Sequence, residues 1–318
     1  MNENSEIVDL KPRISDFKTE IIESLSADPK KISPKFFYDE NGSRLFDQIT
    51  QLEEYYPTRS EIEILDTKCR EIATFIGEGT TVIELGGGNG TKGSKLLTCL
   101  IRPSSYVMVD ISMESLSIAK KMLSSKFPDV QIKAVWADYT KSEVMEKLDL
   151  AGNKAIVFLG STIGNMEPAE ARSFIESCRS ILAEGESLTV GVDLKKDKVT
   201  LEKAYNDSLG ITAQFNLNLL RRINMQFGQT IDESAFRHVA FYNVEKGRIE
   251  MHLESTKNQK ILLDGKEIEF LKGETIHTEN SYKYSIEEFT GLLREAGFSK
   301  VVKWTDSKGN YALFAARV

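Results

Sequence analysis

Between Thr80 and Ser94 the chain reads TTVIELGGGNGTKGS, the first stretch whose residue types and spacing could do chemistry. Gly86, Gly87, Gly88 and Gly90 fall within five positions, after the β-prone Val82-Ile83-Glu84-Leu85 and before an apolar-striped helical run from Lys92 to Ile101. Glycines let a backbone approach a ligand closely, and a helix that starts behind them points its free N–H groups at it. Gly88-Asn89-Gly90-Thr91-Lys92-Gly93 fits G-x-G-x-x-G, the dinucleotide fingerprint. Glu84-x-Gly86-x-Gly88-x-Gly90 fits a second pattern, in which a carboxylate leaves the strand near the charged amino-acid end of a nucleotide-like ligand. A flexible surface turn has the same composition, so other residues must decide.

Further polar residues fall where strands are expected to end. Asp110 stands near the end of SYVMVDI (Ser105 to Ile111), 24 residues after Gly86. An acidic residue in that place hydrogen-bonds ribose hydroxyls in both nucleotide-binding families. Asp138 follows the strand Val130 to Trp136 and precedes Tyr139. Its carboxylate could accept from the exocyclic amine of adenine while Tyr139 covers a ring face; alone, Asp138 would serve equally as a turn or cap residue. Asn165 ends Gly160-Ser161-Thr162-Ile163-Gly164-Asn165, behind a fourth strand from Ala155 to Leu159. Earlier, Lys30 to Thr58 packs Phe36, Phe37, Tyr38, Phe46, Tyr55 and Tyr56 into a short span. Phe36 and Phe46 read as core, whereas Tyr38 and the Tyr55-Tyr56 pair sit beside turn formers and suit a ligand pocket.

The elements that must position these residues alternate. Ile14 to Leu25, Arg59 to Phe75, Glu114 to Phe127 and Pro168 to Leu182 read as helices, and Ser187 to Leu194 as a fifth strand. Such alternation implies a mostly parallel, doubly wound sheet with ligands at the carboxyl ends of its strands. The rhythm breaks at Lys195: Val199 to Phe227 reads as helical, and residues 235 to 284 as an antiparallel meander that must be an inserted lobe. It resumes with a helix from Ile286 to Ala296 and two strands, Val301 to Asp306 and Tyr311 to Val318. A closing helix and hairpin, with the last strand antiparallel, end the sheet of class I S-adenosylmethionine (SAM) methyltransferases and not that of dehydrogenases. The acidic glycine pattern is also theirs. SAM is therefore preferred over NAD, with Glu84 and Gly86 as working positions and Gly93 incidental. An NAD(P)-dependent oxidoreductase is the alternative.

Composition sets further bounds. The 318 residues are 41% hydrophobic and 28% charged, ordinary for a globular protein, and the net charge of −7 disfavours a nucleic-acid partner. Cys69, Cys99 and Cys178 are odd in number and far apart, which argues against a disulfide framework and fits a reducing compartment. His238, His252 and His277 have no ligand spacing, so no metal site is expected. No apolar run reaches the ~20 residues of a membrane span. MNENSEIVDLKPR lacks the order of a signal peptide. The expectation is a cytoplasmic monomer without membrane contact, disordered over residues 1–13.

With these residues in view, the chain resembles the EgtD-like family, the histidine Nα-methyltransferases of ergothioneine biosynthesis. The resemblance is carried by PKFFYDENGSRLFDQITQLEEYYPTRSE, ELGGGNGTKGSKLL, GSTIGN, GVDLKKD, AYNDSLGITAQFNLN, RIEMHLES and the pair Glu279-x-Ser281, and it covers nearly the whole chain. It implies an α/β fold in which residues 60–195 and 283–318 form a class I SAM methyltransferase domain. That domain is a Rossmann-like seven-stranded sheet with an antiparallel last strand, and residues 14–59 and 196–282 form an inserted α+β substrate domain. It implies three successive methyl transfers from SAM to the α-amino group of free histidine, giving hercynine. Carried over, Tyr38, Gly86, Lys92, Asp110, Asp138 and Tyr139 join Glu84 in binding SAM. Tyr56, Asn165 and Tyr205 hold the amino-acid head, and Glu279 and Ser281 recognise the imidazole in a pocket shaped by Met251. Tyr38 and Asn165 are the candidate catalytic residues. The family loop reads closer to ELGSGxxxKT than to the ELGGGNGTKG found here, which bears on the SAM contacts at the loop. The same chemistry on tryptophan or tyrosine is the alternative within the resemblance.

Overall fold

The computed structural model describes residues 7–10, 17–148, 150, 152–228 and 231–318. In chain order its strands and α-helices are β1 (Val8–Asp9), α1 (Phe17–Ser26), α2 (Glu40–Ile49), α3 (Tyr56–Ile76), β2 (Thr81–Leu85) and α4 (Thr91–Leu97). Then follow β3 (Ser105–Asp110), α5 (Met113–Lys126), β4 (Ile132–Trp136), α6 (Ser142–Lys147), β5 (Lys154–Phe158), α7 (Pro168–Ser180) and β6 (Ser187–Asp193). After these come α8 (Lys198–Lys203), α9 (Ile211–Phe227), β7 (Phe236–Asn243), β8 (Arg248–Ser255), β9 (Gln259–Leu263) and β10 (Lys266–Phe270). The chain ends with β11 (Thr275–Tyr282), α10 (Ile286–Glu295), β12 (Lys300–Thr305) and β13 (Tyr311–Arg317). These elements form two units, one of Met1–Arg13, Pro57–Lys195 and Lys283–Val318, the other of Ile14–Tyr56 and Lys196–Tyr282.

The first unit is built on one sheet in the order β1-β4-β3-β2-β5-β6-β13-β12. Its strands β2, β3, β5 and β6 are buried almost throughout because helices cover both faces. Ile83, Leu85, Val107 and Val109 lie in one buried layer; Val82, Met108, Val157, Ile64 and Leu65 lie in the other. β13 runs antiparallel to both β6 and β12, the closing hairpin expected of a class I methyltransferase sheet. The sheet has eight strands where seven are expected. The extra one is β1, paired in parallel with the edge of β4 at Val8↔Val135 and Asp9↔Trp136. Those edge groups of β4 would otherwise go unpaired, and a short strand is enough to satisfy them. The expected disorder is thus corrected for Val8 and Asp9, while residues 1–6 and 11–13 lie outside the described residues, as do residues 14–16 of the first expected helix.

The second unit holds the antiparallel sheet β7-β8-β11 and the hairpin β9-β10. α9 presses Phe215, Leu219, Leu220 and Ile223 into a core shared with Phe36, Phe37, Ile249 and Leu253. The helical stretch expected from Val199 to Phe227 is two helices. Asp207 breaks it by accepting from the backbone N–H groups of Ile211 and Thr212, both at 2.8 Å, and Gly210 caps the second helix at a φ of 69°.

Cys69 and Cys99 are paired as a disulfide with Cα atoms 5.9 Å apart, which corrects the expectation drawn from their separation in sequence. They meet because α3 and α4 lie together, with Lys95 donating to Asp66 at 2.6 Å. Cys178 is a buried free thiol.

Candidate active site

In the first unit the glycine-rich turn leaves β2 as the sequence predicts. Gly86, Gly88 and Gly90 take φ values of 70°, 52° and 77°, which side chains rarely adopt. A Cβ on Gly86 would stand 3.2 Å from the Tyr139 hydroxyl, while nothing lies within 4 Å of one on Gly88. Asp110, at the end of β3, accepts from the Gly88 N–H at 3.1 Å and the Ser112 N–H at 2.9 Å. Burial pushes its carboxyl above the ordinary range, against the pull of those donors. Asp138 accepts from the Thr140 N–H at 3.0 Å and its hydroxyl at 2.6 Å, closing a local turn. Tyr139 packs edge-on against Phe158 at 5.6 Å. Asn165 ends the 3₁₀ turn Thr162–Asn165, which starts from Ser161 at a φ of 57°. The Asp193 N–H donates to Ser161 Oγ at 2.9 Å, fixing that uncommon conformation.

Glu84 has a different setting from the one its motif suggests. Its side chain is buried under the glycine turn and accepts from the Tyr106 hydroxyl at 3.0 Å. Burial raises its pKa to about 7, opposed by Tyr106 and Lys92. Cβ atoms on Gly87 and Gly93 would stand 2.8 and 2.7 Å from Glu84 Oε2. Gly93 is therefore not incidental: it makes room for the carboxylate and for the Tyr106 hydroxyl, also 2.7 Å away. Lys92 extends to Glu61 Oε2 at 2.5 Å.

In the second unit Tyr38 follows the 3₁₀ turn Pro34–Phe37, with its ring edge-on to Phe46 at 5.7 Å and to Phe215 at 6.0 Å. Asp39 accepts from the Gly42 N–H at 2.7 Å and Asn218 Nδ2 at 2.8 Å, tying the stretch YDENG to α9. Gly42 is required there, since a Cβ would fall 1.7 Å from the Phe37 carbonyl oxygen. Tyr56 opens α3, and its hydroxyl accepts from Lys196 at 2.7 Å, a partner not singled out from sequence. The Tyr205 hydroxyl donates to Ser281 Oγ at 2.8 Å. Glu279 pairs across the sheet with Met251, after an irregularity between His277 and Glu279 that resets the strand register.

The scattered histidines are also partly gathered. His277 lies directly opposite His252, two residues from Glu250 on β8, and ligand atoms of the three come within 4.8 Å. Cross-strand register, invisible in sequence spacing, brings them together. Burial holds both imidazoles below their ordinary pKa, so they are neutral at pH 7. The rings stack nearly parallel, 4.7 Å apart and tilted by 14°, so their in-plane lone pairs do not converge on one point. Arg248 and His252 both donate to the Glu250 carboxylate, and the cluster reads as a hydrogen-bonded stack.

These observations bear on whether the first unit suits SAM. The open turn at Gly88, the acceptor Asp110 at the end of β3, and the aromatic Tyr139 beside Gly86 offer a backbone cradle, a carboxylate and a ring face. That donor set fits a ligand with ribose hydroxyls and an adenine ring.

The chain matches, over residues 17–318, the family model described as "Histidine-specific methyltransferase, SAM-dependent". It is 39% identical to the histidine N-alpha-methyltransferase of Mycolicibacterium smegmatis, covering 92% of each chain. It is 37% identical to the protein of the same name from Mycobacterium tuberculosis, covering 94% of each. It is 33% identical to ergothioneine biosynthesis protein 1 of Neurospora crassa, where it spans 95% of its own length and 35% of the relative's.

Proposed function

We infer, since the chain belongs to the SAM-dependent, histidine-specific methyltransferase family, that it transfers methyl groups from SAM to the α-amino group of free L-histidine. The observation that carries this reading is the match from residue 17 to residue 318, which takes in both units. Three successive transfers give the trimethylated betaine hercynine, within ergothioneine biosynthesis. No helix among the described residues is long and apolar enough to cross a membrane. The reading is of a cytoplasmic enzyme that works as a monomer on a small molecule.

SAM is assigned to Gly86, Lys92, Asp110, Asp138 and Tyr139, together with Tyr38; Glu84 shapes the turn from below. When bound, SAM supplies an electrophilic methyl on a sulfonium. The chain's main task is to present an unprotonated amine in line with it. The α-amine of a free amino acid is largely protonated at neutral pH, with a pKa of roughly 8–9, near the chain-terminal value. Tyr38 and polar backbone groups hold the amine, and its proton leaves through water. Tyr56, Asn165 and Tyr205 hold the amino-acid head.

Imidazole recognition is assigned to Glu279 and Ser281. The carboxylate accepts from the ring N–H. Ser281, whose Oγ accepts from the Tyr205 hydroxyl, is assigned to the other ring nitrogen. Such a pair rejects an apolar ring, which would leave both groups unpaired.

Incubating the purified protein with SAM and a panel of free amino acids, then reading product masses, tests the whole reading. Histidine carrying one, two and then three added methyl groups is expected. Product on tryptophan or tyrosine instead would move the assignment to those substrates, and no methylated amino acid at all would sink it.

A further inference from the structure

We propose that Glu61 is a positioning residue for SAM: it fixes the Lys92 ammonium and the Gly160 N–H at the carboxyl ends of β2 and β5. This rests on the SAM assignment above and goes beyond it, because Glu61 belongs to none of the residues assigned to either ligand.

The geometry is that of a built site. Glu61 lies on α3, on the same buried face as Ile64 and Leu65, three and four residues further on. It is 0% exposed. An unpaired carboxylate in such a place would be prohibitively costly, and this one is surrounded by donors. The Gly160 N–H reaches both of its oxygens, at 2.8 and 3.0 Å. The Tyr311 hydroxyl donates at 2.7 Å, and Lys92 Nζ lies at 2.5 Å. The sheet makes space for it: a Cβ on Gly191 of β6 would fall 2.1 Å from Glu61 Oε1.

One carboxylate thus ties together three separate elements. Lys92 lies in the first turn of α4, behind the glycine turn that leaves β2; Gly160 starts the turn after β5 that leads to Asn165; and Tyr311 opens β13. The Lys92 ammonium would stand 3.0 Å from a Cβ on Gly160, so the lysine lies alongside that turn and does not extend into solvent. A lysine chain has many rotamers, and holding it in place removes an ordering cost that ligand binding would otherwise bear. Lys92 is 24% exposed, which leaves its ammonium able to meet the carboxylate of a bound amino-acid moiety while Glu61 holds it from behind.

Glu61→Gln keeps a neutral oxygen for Gly160 and Tyr311 and removes the charge that holds Lys92. By calorimetry on the full chain, Kd for SAM is expected to rise about 10-fold or more. KM for SAM should rise with it, while KM for histidine moves less than about 2-fold. Because Glu61 acts through Lys92, the double variant Glu61→Gln/Lys92→Met should bind SAM no worse than the weaker single variant. Urea unfolding of the same proteins without ligand reads the Glu61–Lys92 coupling separately. Should Glu61→Gln not fold, Glu61→Asp, which draws the charge back by one methylene, is expected to shift Kd in the same direction. Wild-type affinity for SAM in the variant, with any loss confined to the urea midpoint, overturns the positioning role alone. A wild-type protein that binds no SAM overturns the functional reading, and this inference with it.

Discussion

Gly191 stands directly against Glu61: a Cβ on the glycine would lie 2.1 Å from the carboxylate and 2.5 Å from the Tyr311 hydroxyl that donates to it. Neither neighbour is the loose end of an exposed chain. Gly191→Ala must therefore push the carboxylate off its donors, and a loss of about 1–3 kcal/mol of stability is expected for overpacking of this kind. Urea unfolding measures it. A change below about 0.5 kcal/mol, as at ordinary surface positions, would mean that the strand yields freely and that Glu61 is not pinned.

Glu84 makes stability depend on pH in a predictable direction. Its folded pKa, about 7, lies above the ordinary 4.5 because of burial. Below pH 4.5 the group is protonated in both states and contributes nothing. Between 4.5 and 7 the folded state keeps a proton that the unfolded state releases, so stability falls as pH rises, and above 7 the penalty is complete. At about 1.4 kcal/mol per unit the full penalty is of order 3 kcal/mol. Glu84→Gln removes the titration while leaving an oxygen for Tyr106. The variant should gain on the wild type from pH 5 to about pH 7 and hold that gain above it in denaturant titrations, and parallel curves would contradict it.

For Glu279→Ala, histidine preference should drop by a factor of tens or more, since an unpaired buried partner costs about 2–3 kcal/mol. Competition between histidine and phenylalanine in kcat/KM is the measurement. Unchanged kinetics on histidine would remove Glu279 from the imidazole site.

Tyr38→Phe retains the ring that packs on Phe46 and Phe215 and removes only the hydroxyl. Turnover should fall, most strongly at lower pH, where more of the substrate amine is protonated. Full turnover across the pH range would show that the hydroxyl takes no part in holding the amine.

Much of the first unit is legible in sequence because local pattern and global fold agree there. A β-prone run, a glycine turn and a striped helix point to a nucleotide-binding unit, and Asp110 and the closing hairpin narrow its ligand. Other features depend on contacts that spacing does not encode. Glu61 sits in a helix whose charges alternate with isoleucines, where a carboxylate looks solvated; its donors come from residues 92, 160 and 311. Gly93 looks like the tail of a dinucleotide motif until the buried Glu84 beneath it is seen. The His252–His277 stack and the Cys69–Cys99 pair follow from strand register and helix packing, and each joins residues at least 25 apart. Val8 and Asp9 lie in a polar leader whose composition suggests disorder, yet two residues suffice to extend an open sheet edge.

The place of β13 has a consequence for how the protein is made. Tyr311–Arg317 is an inner strand, hydrogen-bonded on both sides to β6 and β12 and buried almost throughout. A nascent chain that has already produced the glycine-rich turn and every parallel strand still exposes the flank of β6 until Arg317 leaves the ribosome. The sheet is completed only once its last strand in sequence has been made, and a chain cut short within Tyr311–Arg317 would present an open, apolar edge for the cell's chaperones and proteases to find.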